Sequence, residues 1–325
     1  MAQRHSGQSE FDVVIVSPNV AVDSYYILPQ LEVGGVNRAQ QVLHTAGGKG
    51  NNMARALTLL GGRALVLGVV GGRAGEFIVE ELDREGIGHD LVWVAGETRR
   101  CSTLIVPAIG EATVALESGC PAGEQAAEQL LQRVARNASR APFISITGSL
   151  LPDLSPRYYA RLIEQVANRP EVTICLDSAG EPLRLAAEAG PKIIKVNWHE
   201  YRSAFGNGSA PNWPSVTATF LHLAQKGVEI LIITEGAQGA YVFAPGTPPF
   251  QVVTRLKSWV STVGAGDTFM AGLLLALGRG ESLKNAACFA SAAAAASLQK
   301  VGCGFLNRDD VGRFLSETRV SRLVV

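Results

Sequence analysis

One pattern constrains the fold of this chain more than any other: six short, almost unbroken apolar runs, rich in β-branched residues, alternate with longer stretches of helical period. The runs are FDVVIVS (11–17), ALVLGVVG (64–71), FISIT (143–147), VTICLDS (172–178), KIIKVN (192–197) and EILIIT (229–234). A strand with one wet face alternates apolar and polar residues, whereas a strand apolar throughout must be covered on both faces. Residues 52–60, 76–85, 124–138, 156–168 and 215–226 carry apolar side chains at helical spacing between the runs, and 268–277 and 283–298 follow the last one. The order predicts an α/β fold with a mostly parallel central sheet between two layers of helices. At 325 residues, 47% of them hydrophobic, the chain has enough apolar material for such a core. No linker or internal repeat divides it, so a single domain over 1–325 is expected.

Two segments depart from this rhythm. Residues 20–45 and 89–117 hold shorter, half-polar runs, the second with a turn near Ile109-Gly110-Glu111. Strands with one solvated face fit a small antiparallel lid. A lid of this size is marginal alone and must lean on the main sheet, a second copy, or both.

Charge and special residues exclude several functions. Lys plus Arg and Asp plus Glu both number 29, with no block of one sign, so neither nucleic acid nor a membrane surface is an expected partner. The opening MAQRHSGQSE is polar and reads as a loose tail, and the later apolar runs are too short to span a bilayer. Five scattered cysteines (Cys101, Cys120, Cys175, Cys288, Cys303) predict free thiols in a reducing cytoplasm. The histidines are equally dispersed, without metal-ligand spacing.

The chemistry lies in two glycine-rich turns. STVGAGDTFMAG (261–272) runs directly into a helical pattern with Asp267 at the junction. Free amides at a helix start attract phosphate, while a carboxylate there repels it. Asp267 could be an ordinary acidic residue of a first helical turn. Alternatively, the Gly264, Ala265 and Gly266 amides stabilise a transferring phosphoryl group while Asp267 takes the proton of an attacking hydroxyl. The second turn, TAGGKGNNMARALTLLGG (45–62), places Gly47-Gly48-Lys49-Gly50 ahead of a helix. It lacks the G-x-x-x-x-G-K-[ST] spacing of a P-loop, and no G-x-G-x-x-G follows the first strand, which disfavours a nicotinamide-dependent oxidoreductase.

Taken together, AGGKGNNMA and STVGAGDTFMAG resemble the two signatures of the PfkB, or ribokinase-like, carbohydrate kinases. SPNVAVD, GGVNRA, ETRRC, TGSLLP and KVNWHE resemble the branch that acts on sugar phosphates, which includes 1-phosphofructokinase, tagatose-6-phosphate kinase and the minor 6-phosphofructokinase. The resemblance implies a ribokinase-like three-layer α/β/α sandwich with a small β lid, using ATP as co-substrate and Mg²⁺. It implies that Asp23, Gly47, Gly48 and Asn52 hold the sugar and that Arg38 and Arg99 hold its existing phosphate, while Ser149 either donates to the phosphate or the sugar or simply makes a turn ahead of Pro152. Lys195, Asn197, Thr234, Gly236 and Gly239 would face the nucleotide, with Glu200 of the N-x-x-E element reaching the metal through water. Glu235 is expected to face solvent.

Two departures bear on the acceptor: Thr113-Val114 stands where the branch usually has an acidic residue beside Thr, and Gly119-Cys120 replaces a frequent Gly-Pro. The leading expectation is phosphorylation of fructose 1-phosphate by a cytoplasmic enzyme. Tagatose 6-phosphate, fructose 6-phosphate, or an unphosphorylated sugar or nucleoside remain alternatives, as does a ligand-binding regulator that has lost catalysis. A homodimer formed through the lid is expected, and Arg38 would then reach a neighbour's site.

Overall fold

The computed structural model describes residues 9–206 and 212–323, so the first eight residues of the expected tail lie outside it. In chain order the strands are β1 (Val13–Asn19), β2 (Ala21–Ile27), β3 (Gln41–Gly47), β4 (Ala64–Gly71), β5 (Gly88–His89), β6 (Val92–Val94), β7 (Arg100–Val106), β8 (Glu111–Leu116), β9 (Phe143–Thr147), β10 (Thr173–Asp177), β11 (Ile193–Asn197), β12 (Ile230–Thr234), β13 (Ala240–Ala244), β14 (Thr247–Thr254) and β15 (Thr318–Arg322). The helices are α1 (Lys49–Leu59), α2 (Gly72–Arg84), α3 (Gly123–Asn137), α4 (Tyr158–Val166), α5 (Gly180–Glu188), α6 (Trp198–Phe205), α7 (Trp213–Gln225), α8 (Ala265–Gly278), α9 (Leu283–Ser297) and α10 (Arg308–Glu317).

The large sheet has 11 strands in the order β15-β14-β13-β12-β11-β10-β9-β1-β4-β5, with β6 also beside β4. Pairing is parallel from β12 through to β5 and β6, and antiparallel from β12 outward to β15. Alternate residues of each inner strand enter opposite cores. Val13 and Ile15 pack with α1, α2, α8, α9 and α10, whereas Val14 and Val16 pack with α3, α4, α5, α6 and α7. Near-continuous hydrophobicity in the runs thus follows from two covered faces. The chain runs from β1 to β4 on one side and later to β9 on the other, which opens a crevice at the carboxyl ends of β1 and β9.

The lid is a separate sheet of 4 strands, β3-β2-β7-β8. It differs from the expected lid in two ways. The pair at its centre, β2 with β7, is parallel, because both strands leave the large sheet in the same direction. Residues 92–94 belong to the large sheet, not the lid: Val92 is fully buried in the second core and pairs with Val69 of β4. Register places Asp23, Tyr25 and Ile27 on one lid face and Ser24 and Tyr26 on the other. The first face packs Tyr25 and Ile105 against Cys303, Val263 and Val301, so it looks toward the start of α8. All five cysteines are free thiols. Among the described residues no helix is long and apolar enough to cross a membrane.

Candidate active site

Helix α8 begins without a cap. Gly264, at φ 82°, ends the preceding loop in a left-handed turn, and a Cβ there would lie 2.6 Å from Cys303 Sγ. The first bond of the helix runs from the Thr268 amide to the Gly264 carbonyl at 3.2 Å. The amides of Ala265, Gly266 and Asp267 therefore have no acceptor among the described residues, and no side chain supplies one. Partly open, they form an anion site of the kind helix starts provide.

Asp267 is buried, and its carboxylate is not folded back onto its own helix. Oδ2 instead accepts from Asn52 Nδ2 at 3.1 Å, which brings the two glycine turns together across one cleft. Asn52 arrives there because Gly48, immediately before α1, turns the chain out of β3 at a φ of 84°. Burial pushes the Asp267 carboxyl up to about 7; Lys49, Lys195 and the Asn52 amide pull it down, while Asp177 adds to the rise. A carboxyl poised near neutrality suits a general base.

Beneath these groups lies a chain of charges that parity along the strands dictates. Cys175 of β10 and Ile193 of β11 point into the first core, so Asp177 and Lys195, two residues on, share that face. Lys195 Nζ donates to Asp177 Oδ2 at 2.6 Å, and both are buried. Lys49, from the first glycine turn, donates to Asp177 Oδ1 at 2.6 Å and to Glu200 Oε1 at 2.8 Å. Burial alone would raise the Asp177 carboxyl, but the two ammonium groups outweigh it and hold it below the usual carboxylate range. Burial likewise opposes the charge on Lys49, yet Asp177, Glu200 and Asp267 together raise it. Lys195 Nζ also sits against the open helix start: a Cβ on Gly266 would lie 2.6 Å from it. Two lysines thus bring positive charge to the same place as the free amides.

On the lid side, Asp23 accepts from the Gly48 amide at 3.4 Å and from the Tyr25 hydroxyl at 3.2 Å. A Cβ on Gly47 would fall inside the Asp23 carboxyl group, so only glycine allows this approach. Burial raises the Asp23 carboxyl, against the pull of those two donors. At the crevice, Asn19 Nδ2 donates to Ser149 Oγ at 3.1 Å, and also to the carbonyls of Leu150 and Ser118.

Glu200 has both oxygens engaged, Oε1 by Lys49 and Oε2 by the Asn197 amide at 2.8 Å, while Asn197 Oδ1 accepts from the Glu200 amide. The N-x-x-E element is thus also the capping box of α6. Among the described residues no group of three or more His, Cys, Asp or Glu forms a metal cage. Magnesium keeps several waters and takes oxygen donors, the type of ligand that the Glu200 carboxylate offers at this sheet end. Register pairs Asn197 with Thr234 of β12, so the Thr234–Gly239 turn lies one strand further along the same sheet end. Glu235 in that turn is half-buried and accepts from the Tyr241 hydroxyl at 3.0 Å, contrary to the solvent-facing role expected for it.

Two arginines stand apart from the centre. Arg99 spends its terminal nitrogens on the carbonyls of Asn19 at 2.9 Å and Glu117 at 3.1 Å, leaving a buried Nε without a partner. Arg38 is exposed and lines an open cavity of about 650 Å³ with Tyr26, Ser102 and Leu104, on the lid face opposite Asp23. Three residues of the centre were not anticipated: Lys49, Asp177 and Arg55, the last fully buried behind Asn52. For Asp177 and Arg55 the available signal was a lone charge inside an apolar run, as in TICLD and MARAL.

The model for pfkB family carbohydrate kinases matches residues 17–310. Phosphofructokinase-2 from Escherichia coli, in complex with fructose-6-phosphate, is 26% identical with a TM-score of 0.84, over 94% of this chain and 98% of that one. A possible 1-phosphofructokinase from Thermotoga maritima is 21% identical with a TM-score of 0.87, over 96% and 99%. Arabidopsis thaliana ribokinase, complexed with ribose and ATP, is 22% identical with a TM-score of 0.72, over 94% and 98%. The fold is ribokinase-like.

Proposed function

Because this chain belongs to the pfkB family of carbohydrate kinases, and so is a phosphotransferase with an alcohol group as acceptor, we propose that it moves the γ-phosphoryl group of ATP to a hydroxyl of a phosphorylated ketohexose. Fructose 1-phosphate, phosphorylated at O6, is the first acceptor to test; fructose 6-phosphate and tagatose 6-phosphate are the others. The observation that carries the reading is the bond between Asn52 and Asp267 beside an uncapped helix start.

In this reaction Asp267 receives the acceptor's hydroxyl proton as its oxygen bonds to the γ-phosphorus and the bond to the ADP oxygen breaks. The amides of Ala265 and Gly266, with Lys195, face the charge that spreads over the transferring oxygens. Asp23, Gly47 and Gly48 form the sugar's side of the cleft. Lys195, Asn197, Thr234, Gly236 and Gly239 lie on the nucleotide's side. Magnesium, carried by the phosphates and reached by Glu200 through water, would neutralise their charge when bound.

Ser149 and Arg99 are the candidate holders of the existing phosphate, Arg99 through its unpartnered Nε and by exchanging a carbonyl for the ligand. Arg38, exposed on the outer face of the lid, would act from a second copy, and the apolar side chains of that face, with Val42 exposed, support a homodimer formed there. Val114 and Leu116 are exposed on the lid face that carries Asp23, so that wall carries apolar side chains where the branch has a charge.

ADP release with the three sugar phosphates and their unphosphorylated sugars tests the proposal. Turnover restricted to phosphosugars, and lost with Arg99→Gln, is the expected result. Equal use of free sugars, unaffected by Arg99→Gln, would overturn the assignment of the phosphate site.

A further inference from the structure

Arg55 is buried to 2% exposure on α1, three residues beyond Asn52 and on the same side of the helix. A buried guanidinium is costly unless its donors are satisfied, and three of the four residues satisfying this one belong to the framework of the cleft. Nη1 donates to Asn52 Oδ1 at 3.4 Å and to the Cys303 carbonyl at 3.0 Å, and Nη2 donates to the Ala46 carbonyl at 2.7 Å. Nε donates to Glu85 at 2.9 Å, and the plane lies over the Phe305 ring at 4.7 Å. Ala46 stands just before the first glycine turn, and Cys303 packs against Gly264 of the second.

We propose that Arg55 is a positioning residue for phosphoryl transfer, fixing the Asn52 amide so that its nitrogen faces Asp267 while fastening the two glycine turns to each other. A primary amide fits its pocket in two orientations, and the surrounding hydrogen bonds choose between them. Arginine has donors only, so it turns Asn52 Oδ1 toward itself and leaves Nδ2 for the carboxylate. In the opposite orientation Oδ1 would face Asp267 and could accept only from the protonated acid. The groups facing Asp267 are Lys49 and Asn52 from α1, Asp177 from β10, Lys195 from β11, and the Cys303 thiol. Arg55 is bonded to none of these carboxylates or amines, so its influence passes through Asn52 and the Cys303 backbone. Lysine, a single point charge on a flexible stem, lacks the planar fork to serve these acceptors together.

This role rests on the phosphoryl-transfer reading, and one set of kinetic measurements separates the two. Arg55→Lys should lower kcat about tenfold or more while the KM for ATP stays within about twofold. The acid limb of its kcat profile should move to higher pH, because a freed amide no longer holds the ionised form of Asp267. In an Asn52→Ala background the same change should add little, since the two residues act as one unit. Arg55→Met paired with Glu85→Gln removes both charges and checks that the result does not come from an orphaned carboxylate. A drop in melting temperature with kcat and the acid limb unmoved would overturn the positioning role while leaving phosphoryl transfer intact, and so would losses that multiply with those of Asn52→Ala. Absence of turnover in the unaltered enzyme would overturn both.

Discussion

Helices α6 and α8 start in similar ways and are used differently. Each follows a sheet end or loop, and each carries a carboxylate in its first turn, Glu200 in one and Asp267 in the other. In α6, Asn197 and Glu200 satisfy each other's backbone amides, and the start is closed. In α8 the carboxylate turns away to Asn52 and the amides stay free. A first-turn acid is therefore a cap or a site according to where its oxygens go, and spacing alone does not tell these apart. The open start gives up the roughly 1 kcal/mol that a cap contributes and keeps donors available for a phosphoryl group.

The sharpest way to break this contrast is to remove what holds the open start in place. Asp177→Asn leaves two lysines without their shared carboxylate and should cost about 3–5 kcal/mol of stability, read by denaturant unfolding. A loss no larger than that of a surface change would show that the charge chain does not hold the site together. Next in size, Asp267→Asn should cut turnover by about two orders of magnitude or more, with ATP binding retained. Near-normal turnover would make the α8 carboxylate as structural as that of α6.

The same substitution sharpens the comparison through pH. The folded Asp267 carboxyl sits at about 7 and the unfolded one near 4. Between these values the native state holds the extra proton, so the wild type loses stability as pH rises through that window. Asp267→Asn should match wild type near pH 4 and exceed it increasingly up to about pH 8, by about 2–4 kcal/mol at most. A constant difference in melting temperature across that range would contradict the burial argument. The smallest effect belongs to the closed start: Asn197→Ala should cost about 1 kcal/mol, with turnover moderately reduced at most.

Much of the fold was legible because two covered faces leave a plain imprint. ALVLGVVG and FISIT coincide with β4 and β9 to the residue, and the other four runs lie within two residues of their strands. What escaped notice is polar or interrupted. Helix α5 opens on Gly-Glu-Pro, α10 contains two aspartates and Gly312, β14 carries Pro248 and Pro249, and β15 is mostly exposed. Elements at the rim bury little, so their hydrophobic pattern is weak. In the site, the glycine turns announced themselves as motifs. Asp177, Lys49 and Arg55 did not, because each depends on at least one partner 18 or more positions away along the chain, as far as 248 for Arg55. Counting Asp177 and Lys195 as two steps beyond Cys175 and Ile193 would have placed them on one face, had the strand register been known.

Backbone amide NMR on protein labelled at alanine and glycine tests the central claim most directly, with ADP and aluminium fluoride added in place of a transferring phosphoryl group, together with magnesium and a sugar phosphate. If the free start of α8 is the phosphoryl site, the resonances of Gly264, Ala265 and Gly266 will move most, and Ala204 and Gly206 at the far end of α6 will stay in place. Saturating binding of the nucleotide that leaves those three resonances unchanged would contradict the account.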